Sequence, residues 1–582
     1  MTDQICESQL EFKRGNSFYF LPLFFLPIAI LFSNESWIFQ SFEYSYDPWG
    51  YAAFFHNFPI LQNGLVNERV IGRIPWNFVG YIVNQLFPLP YSNYVLHLGF
   101  YYLTILSLYF ILTHLFSERT GLLTSILMGS YSWFLIPIGS DMPDGAGAAY
   151  GLCSCALVVI SRNSKWAGIA LFFAGCFSGA MLHTNLGMLI FFFFQLCFFF
   201  LLKQKCSIHE IVEFFSKFFF GFFSITVLGM GISKYYGGPL FFFANQLWFG
   251  VKMVNDPALF AQFPIDWIWS ASWLVVPTAI LIGSVIEVFF PTDYGKLIEG
   301  NHGQPIFSGF FLKSYIVVFL IYCVLNFGGQ TWLKNFNYSG LYFPFVCLAL
   351  GDLLWKRFSR LSERQFNFLS GFSVMVCSVV FSPQIFQIVL KGKPDCIWLI
   401  LGVWIFIFWF WFKFPKKDLA IYAIVFLFSV NSAWVSDLKR LSPDGGEKIK
   451  SAYLFTIEIA KKMRKVFPDF RSSDKIWFSE KDIFSNHFFN SSIVYCSFGT
   501  WNKLGAKFVG SINPGDRIIV LDSGDQKWRT IRAALAFKEI EPQLISKEKI
   551  VLNPFEANLL YFEIPQNQRG NFLKEIINDL LE

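Results

Sequence analysis

The stretch richest in reactive side chains reads Glu43-Tyr44-Ser45-Tyr46-Asp47-Pro48-Trp49-Gly50-Tyr51, followed by His56, Glu68, Arg69, Arg73, Pro75 and Trp76. It follows directly on an apolar segment at 17–33, so Asp47 falls near a membrane surface, where lipid-borne and water-borne reactants meet. A carboxylate there can take a proton from a hydroxyl as general base. Arginines at 69 and 73 can hold a phosphate bidentately and stabilise its charge as it leaves. The structural alternative is an interfacial loop, with Tyr and Trp in the aromatic belt and Asp47-Pro48 opening a turn.

Two further groups suggest chemistry. Gly139-Ser140-Asp141-Met142-Pro143-Asp144-Gly145 places two carboxylates three residues apart in a short turn between apolar runs. They can order sugar hydroxyls or bind a divalent metal, the one cofactor the sequence suggests, with no ligand set fixed. Alternatively, Asp144 caps the helix that follows. His183-Thr184-Asn185 ends another apolar run, and a polar group at that depth faces either a cavity or the bundle. No Walker A, Gly-x-Ser-x-Gly or Gly-x-Gly-x-x-Gly motif stands in a suitable place.

These residues are set among membrane spans. The 582 residues are 54% hydrophobic, 20% aromatic and only 15% charged, and mean hydropathy is +0.46. Soluble domains carry about 25% charge. Phenylalanine occurs 76 times, with runs such as 191–194 and 218–223 that suit lipid-facing helices. Apolar segments recur at 17–33, 93–115, 120–138, 144–161, 166–182, 186–202, 211–232, 271–290, 313–329, 340–355, 366–382, 396–412 and 418–435, giving about 13 spans. The first reads as an uncleaved helix, because no small-residue cleavage site follows it. The net charge of +6 is spread in short clusters between spans, which argues against nucleic acid as a partner. The 11 cysteines form no zinc spacing.

Charge alternation orients the segments. With Lys13 and Arg14 in the cytoplasm, Arg119, Arg162, Lys165, Lys203, Lys205, Lys296, Lys356, Arg357 and Lys413 all return to that side. Asp47, Asp141, Asp144 and His183 then share the outer side. An odd number of spans leaves 436–582 outside too. The expected architecture is an α-helical polytopic membrane domain over 1–435, with long outer loops at 34–92 and 233–270. A small α/β soluble domain over 436–582 follows on the non-cytoplasmic, periplasmic side. In that tail a helix is expected over 447–466, strands at 475–479, 493–497, 517–521 and 559–564, and helices at 526–539 and 570–581.

This plan resembles the GT-C glycosyltransferases that use polyprenyl-phosphate sugars, above all the bacterial relatives of protein O-mannosyltransferases and aminoarabinose transferases. The matching residues are Asp47-Pro48-Trp49-Gly50-Tyr51, Arg73-Ile74-Pro75-Trp76, Tyr91-Ser92-Asn93-Tyr94-Val95-Leu96-His97 and Asp141-Met142-Pro143-Asp144-Gly145-Ala146-Gly147. Where many relatives carry Asp-Glu in the first loop, Pro48 follows Asp47 here. The resemblance covers roughly 15–350 and implies Asp47 as catalytic base. It also implies the second acidic loop near donor or acceptor, and basic loop residues on the lipid phosphate. The implied partners are a polyprenyl-phosphate sugar donor, a lipid, glycan or protein acceptor, and the lipids of the inner membrane. Two rival readings stand beside it: a transporter or flippase with ionisable groups at mid-span, and a scaffold whose outer tail binds partners.

Overall fold

The computed structural model describes residues 21–33, 37–39, 46–61, 68–162, 164–202, 207–255, 274–289, 309–327 and 339–358, six positions within 450–458, and four strands between 475 and 563. The helices are α1 (Leu21–Ser33), α2 (Tyr46–Leu61), α3 (Ile74–Leu86), α4 (Tyr91–Leu115), α5 (Glu118–Gly129), α6 (Ser132–Gly139) and α7 (Pro143–Ser161). They continue with α8 (Ala167–Thr184), α9 (Leu189–Leu202), α10 (Ile208–Tyr235), α11 (Ala244–Asn255), α12 (Val275–Phe289), α13 (Phe310–Phe327) and α14 (Ser339–Phe358).

Among the described residues, four helices are long and apolar enough to cross a membrane: α4, α7, α8 and α10. The α5–α6 pair makes a fifth if its 71° bend lies within one span. The segments expected through 340–355 each contain a helix, whereas those at 366–382, 396–412 and 418–435 lie outside the described residues. Local chemistry sets several boundaries. Ser117 caps α5 by accepting from the Thr120 amide. Ser207 and Glu210 form a capping box on α10. Pro75 and Pro143 sit in the first turns of α3 and α7, where a missing N–H costs nothing.

The described part of the first long loop contains helices: α2, the single turn Glu68–Ile71 and α3. Tyr51, Phe54, Phe55 and Phe58 recur at helical spacing and are all buried, so this segment gains more by packing as a helix than by lying on the surface. The second long loop likewise contains α11. The phenylalanine runs also divide differently from a lipid-facing expectation. Phe191, Phe194 and Phe218 are buried, while Phe193, Phe220 and Phe223 are exposed. Each run turns one face inward and the other toward lipid.

Helix α8 packs between α7 and α10. A Cβ on Gly175 would collide with the Phe218 carbonyl, and one on Gly221 with the Phe172 carbonyl. Glycines on both sides let the two backbones touch, the usual way to hold helices together in lipid.

In the tail, β1 (Lys475–Trp477), β2 (Arg517–Asp522), β3 (Gln543–Leu552) and β4 (Phe555–Glu563) form one sheet in the order β1-β2-β4-β3. The β1–β2 pair is parallel, and the others are antiparallel. Strand β3 was not anticipated. The expected strand at 493–497 and the helices at 526–539 and 570–581 lie outside the described residues.

Candidate functional site

The first turn of α3 is the meeting point. Arg73 is the N-cap residue of α3, with its guanidinium carbon 5.2 Å from the centre of the Tyr51 ring. The buried Arg73 Nε has no hydrogen-bond partner among the described residues. Tyr51 lies on α2 one turn after Asp47, and positions four apart share a helix face. The side chains of Asp47 and Arg69 lie outside the described residues, so only their backbone positions, on α2 and on the turn before α3, can be placed.

Three residues past Arg73, Trp76 is buried and its indole N–H donates to the backbone carbonyl of Asp141 at 2.9 Å. Its ring also packs edge-on against Phe55 and Phe100. The Tyr150 hydroxyl donates to the Pro75 carbonyl at 3.1 Å. The start of α3 is thereby fixed to the α6–α7 corner that carries both acidic residues.

Asp141 itself is 1% exposed. Its Oδ1 lies 3.3 Å from His97 Nε2, and its Oδ2 accepts from the Tyr453 hydroxyl at 3.2 Å. His97 Nδ1 lies 2.7 Å from the Ile138 carbonyl. A carbonyl only accepts, so Nδ1 carries a proton. Nε2 is thereby the ring atom that faces the Asp141 carboxylate.

Asp144 is also buried, and the Asn185 amide donates to its Oδ1 at 2.8 Å. The Asn185 carbonyl oxygen in turn accepts from the Gly187 amide at 2.9 Å. Asp144 lies in the first turn of α7, where the helix dipole favours a carboxylate. The N-cap residue is Met142, without a side-chain cap, so Asp144 serves the helix start from within its first turn. The start of α14 seals this acid. A Cβ on Gly340 would lie 2.7 Å from that of Asp144, so only glycine fits there.

His183 does not join these acids in any described contact. Its Nε2 is 2.8 Å from Thr226 Oγ1. Thr226 donates its own proton to the Phe222 carbonyl, so His183 must be the donor. The ring lies among Phe222, Phe242 and Phe243, and its carbonyl accepts from Gln246 at 3.0 Å. Within His183-Thr184-Asn185, the residue that contacts an acid is Asn185.

Among the described residues no group of three or more His, Cys, Asp and Glu is arranged to hold a metal ion. Asp141 and Asp144 are each engaged by separate protein partners. Sequence reasoning assigned no role to His97 or Tyr453. His97 carried a signal as the last residue of the matched segment Tyr91–His97; Tyr453 carried none.

No protein-family model and no curated protein matches the chain. It is similar to the solved structure of ArnT from Cupriavidus metallidurans bound to undecaprenyl phosphate, at 13% identity over 94% of this chain and 98% of that one, with a TM-score of 0.46. It is also similar to the apo state of the same protein, at 12% identity over 93% and 97%, with a TM-score of 0.40. Likenesses at these scores assign no residue roles, and the chemistry rests on the side chains themselves.

Proposed function

We propose that the chain is a membrane glycosyltransferase. It moves a sugar from a polyprenyl-phosphate-linked donor to an acceptor hydroxyl at the outer, periplasmic face, by an inverting displacement. The observation that carries this reading is the first turn of α3. There Arg73, whose buried Nε has no partner among the described residues, sits over Tyr51 on the helix that bears Asp47, and Trp76 joins the same turn to the buried Asp141. A cation and acidic residues thus gather at helix ends, where a lipid phosphate and a water-borne acceptor can both arrive.

In this proposal Asp47 takes the proton from the acceptor hydroxyl. The acceptor oxygen bonds to the anomeric carbon as the bond from that carbon to the phosphate oxygen breaks. The electron pair leaves with the polyprenyl phosphate, and Arg69 and Arg73 stabilise the charge that develops. Asp141 and Asp144, expected from the sequence to order the sugar or a metal, are buried against protein partners. They act by fixing the floor on which the sugar rests.

The test is transfer by membranes holding wild-type or Asp47→Asn protein at matched levels. Undecaprenyl phosphate, present in one of the similar solved structures, is the first carrier to load with sugars. A loss of about 100-fold or more is expected for removal of a general base. Full activity in a well-expressed Asp47→Asn protein removes Asp47 from the mechanism.

A further inference from the structure

The described residues of 450–458 are helical, and they lie against the membrane domain at the Asp141 end. Tyr453 and Ile457 are buried, one turn apart. The Tyr453 ring lies 5.5 Å from that of Phe39. The Lys450 ammonium sits 5.9 Å from the Phe39 ring centre and 5.8 Å from that of Tyr94. Positions 450, 453 and 457 therefore form one docked stripe, with Lys450 and Tyr453 on the same aromatic ring.

The polar end of that stripe is specific. Tyr453 reaches Asp141 across 312 residues of sequence. Burial and the neighbouring Asp141 carboxylate push the Tyr453 phenol well above its ordinary value. It therefore stays protonated and is available as a donor at any physiological pH. His97 faces the other oxygen of the same carboxylate. Asp141 is thus held by one group from the membrane domain and one from the tail.

We infer that the helical positions Lys450, Tyr453 and Ile457 form a wall of the Asp141 site, with Tyr453 a positioning residue that holds the Asp141 carboxylate at Oδ2 while His97 faces it at Oδ1. This makes the site complete only when the C-terminal region is docked, so the tail reports directly on the site's geometry. The inference rests on the reading of Asp141 as part of the donor site, but the bond itself can be tested without any sugar.

The first measurement is amide hydrogen exchange of the 450–458 segment in full-length protein purified in detergent. The variants are Tyr453→Phe, Asp141→Ala and the two combined. Each single change should speed exchange by about tenfold, the scale of one hydrogen bond to a charged group. The double variant should exchange no faster than either single, because both remove the same bond. Ile457→Ala should also speed exchange, but its effect should multiply with that of Asp141→Ala. If Asp141→Ala does not accumulate, Asp141→Asn replaces it with a smaller shift in the same direction. Wild-type exchange in Tyr453→Phe, or effects of 453 and 141 that multiply, would overturn the bond. Because no substrate is present, that failure is distinct from a failure of the transferase reading.

The second measurement separates positioning from packing. In the transfer assay, Tyr453→Phe should raise KM for the polyprenyl-phosphate sugar about tenfold with kcat within twofold, whereas Ile457→Ala should lower only the amount of folded protein. An unchanged KM in Tyr453→Phe would end the positioning role.

Discussion

Helix α14 joins two buried acidic clusters that are built on different plans. Its start packs on Asp144 through Gly340. From 340 to 352 the helix rises roughly 18 Å, and there Asp352 is fully buried, its two oxygens accepting from the Gly309 amide at 3.1 and 2.9 Å. Gly309 immediately precedes α13, so Asp352 satisfies an orphan amide at a helix N-terminus and meets its dipole. Lys356, one turn on, lies 3.8 Å from Glu287 near the end of α12. Trp355 stacks on Phe116 nearby. Each described acid here faces a backbone amide or a lysine, and the cluster ties α12, α13 and α14 together.

The Asp141–Asp144 end uses another set of partners. Its acids meet an imidazole, a phenol and a side-chain amide, drawn from α4, the tail and the residue after α8. These groups orient a carboxylate rather than neutralise it with a fixed cation. Two described cations stand at this end, Lys450 over the Phe39 and Tyr94 rings and Arg73 over the Tyr51 ring, the latter with no partner for its Nε among the described residues. The contrast separates a cluster that ties helix ends through a backbone amide and a lysine from one held by side-chain hydrogen-bonding groups, which is the end proposed above to meet the ligand. It also weakens the transporter reading, because Asp352 and Glu287 sit near helix ends and have structural partners.

Substitutions can break or sharpen this contrast. The largest effect is expected for Asp47→Asn, with about 100-fold or greater loss of transfer at normal expression. Arg73→Ala should follow at about 100-fold in kcat, as stabilisation of the leaving phosphate is lost, and Arg73→Lys should recover part of it by restoring charge without the fork. Asn185→Ala removes a buried bond to Asp144 and should cost about 1.5–3 kcal/mol of stability, read by thermal unfolding in detergent. Asp352→Ala should lower stability by about 1–3 kcal/mol while the remaining folded protein transfers sugar at the wild-type rate. If Asp352→Ala instead abolished transfer without unfolding, the division between the two ends would fail. The smallest effect is expected for Glu213→Gln, which removes the partly exposed pair with Lys217 and should stay within about 0.5 kcal/mol.

Much of this was legible in the sequence, for physical reasons that differ from place to place. The spans follow from continuous apolar runs, and Pro143 and Ser207 mark helix starts by their own chemistry. Charge alternation leads to the expectation that Asp141 and the tail share a side, and the Tyr453–Asp141 bond joins Asp141 to the described helical positions of the tail. The helices α2 and α3 were hidden because tyrosine, tryptophan and proline at 44–51 read as an interfacial loop, whereas burial of Tyr51, Phe55 and Trp76 decides the outcome. Strand β3 was hidden because Ser546-Lys547-Glu548-Lys549 breaks apolar alternation, and only its pairing with β4 defines it. The pairings of His97, Asn185 and Tyr453 were hidden because their partners lie far away in sequence, at separations that no local pattern encodes.

The central claim is that the ligand end of the bundle is the one built around Arg73 and Asp141. Photo-crosslinking tests it most directly, using a diazirine-bearing undecaprenyl phosphate in membranes, with the labelled peptides mapped by mass spectrometry. The account predicts labelling within 46–61, 68–86 and 139–147, competed by unmodified undecaprenyl phosphate and reduced by Arg73→Ala. Competed labelling concentrated at 284–289, 309–313 and 352–358 would contradict it, because the lipid phosphate would then sit at the Asp352 junction.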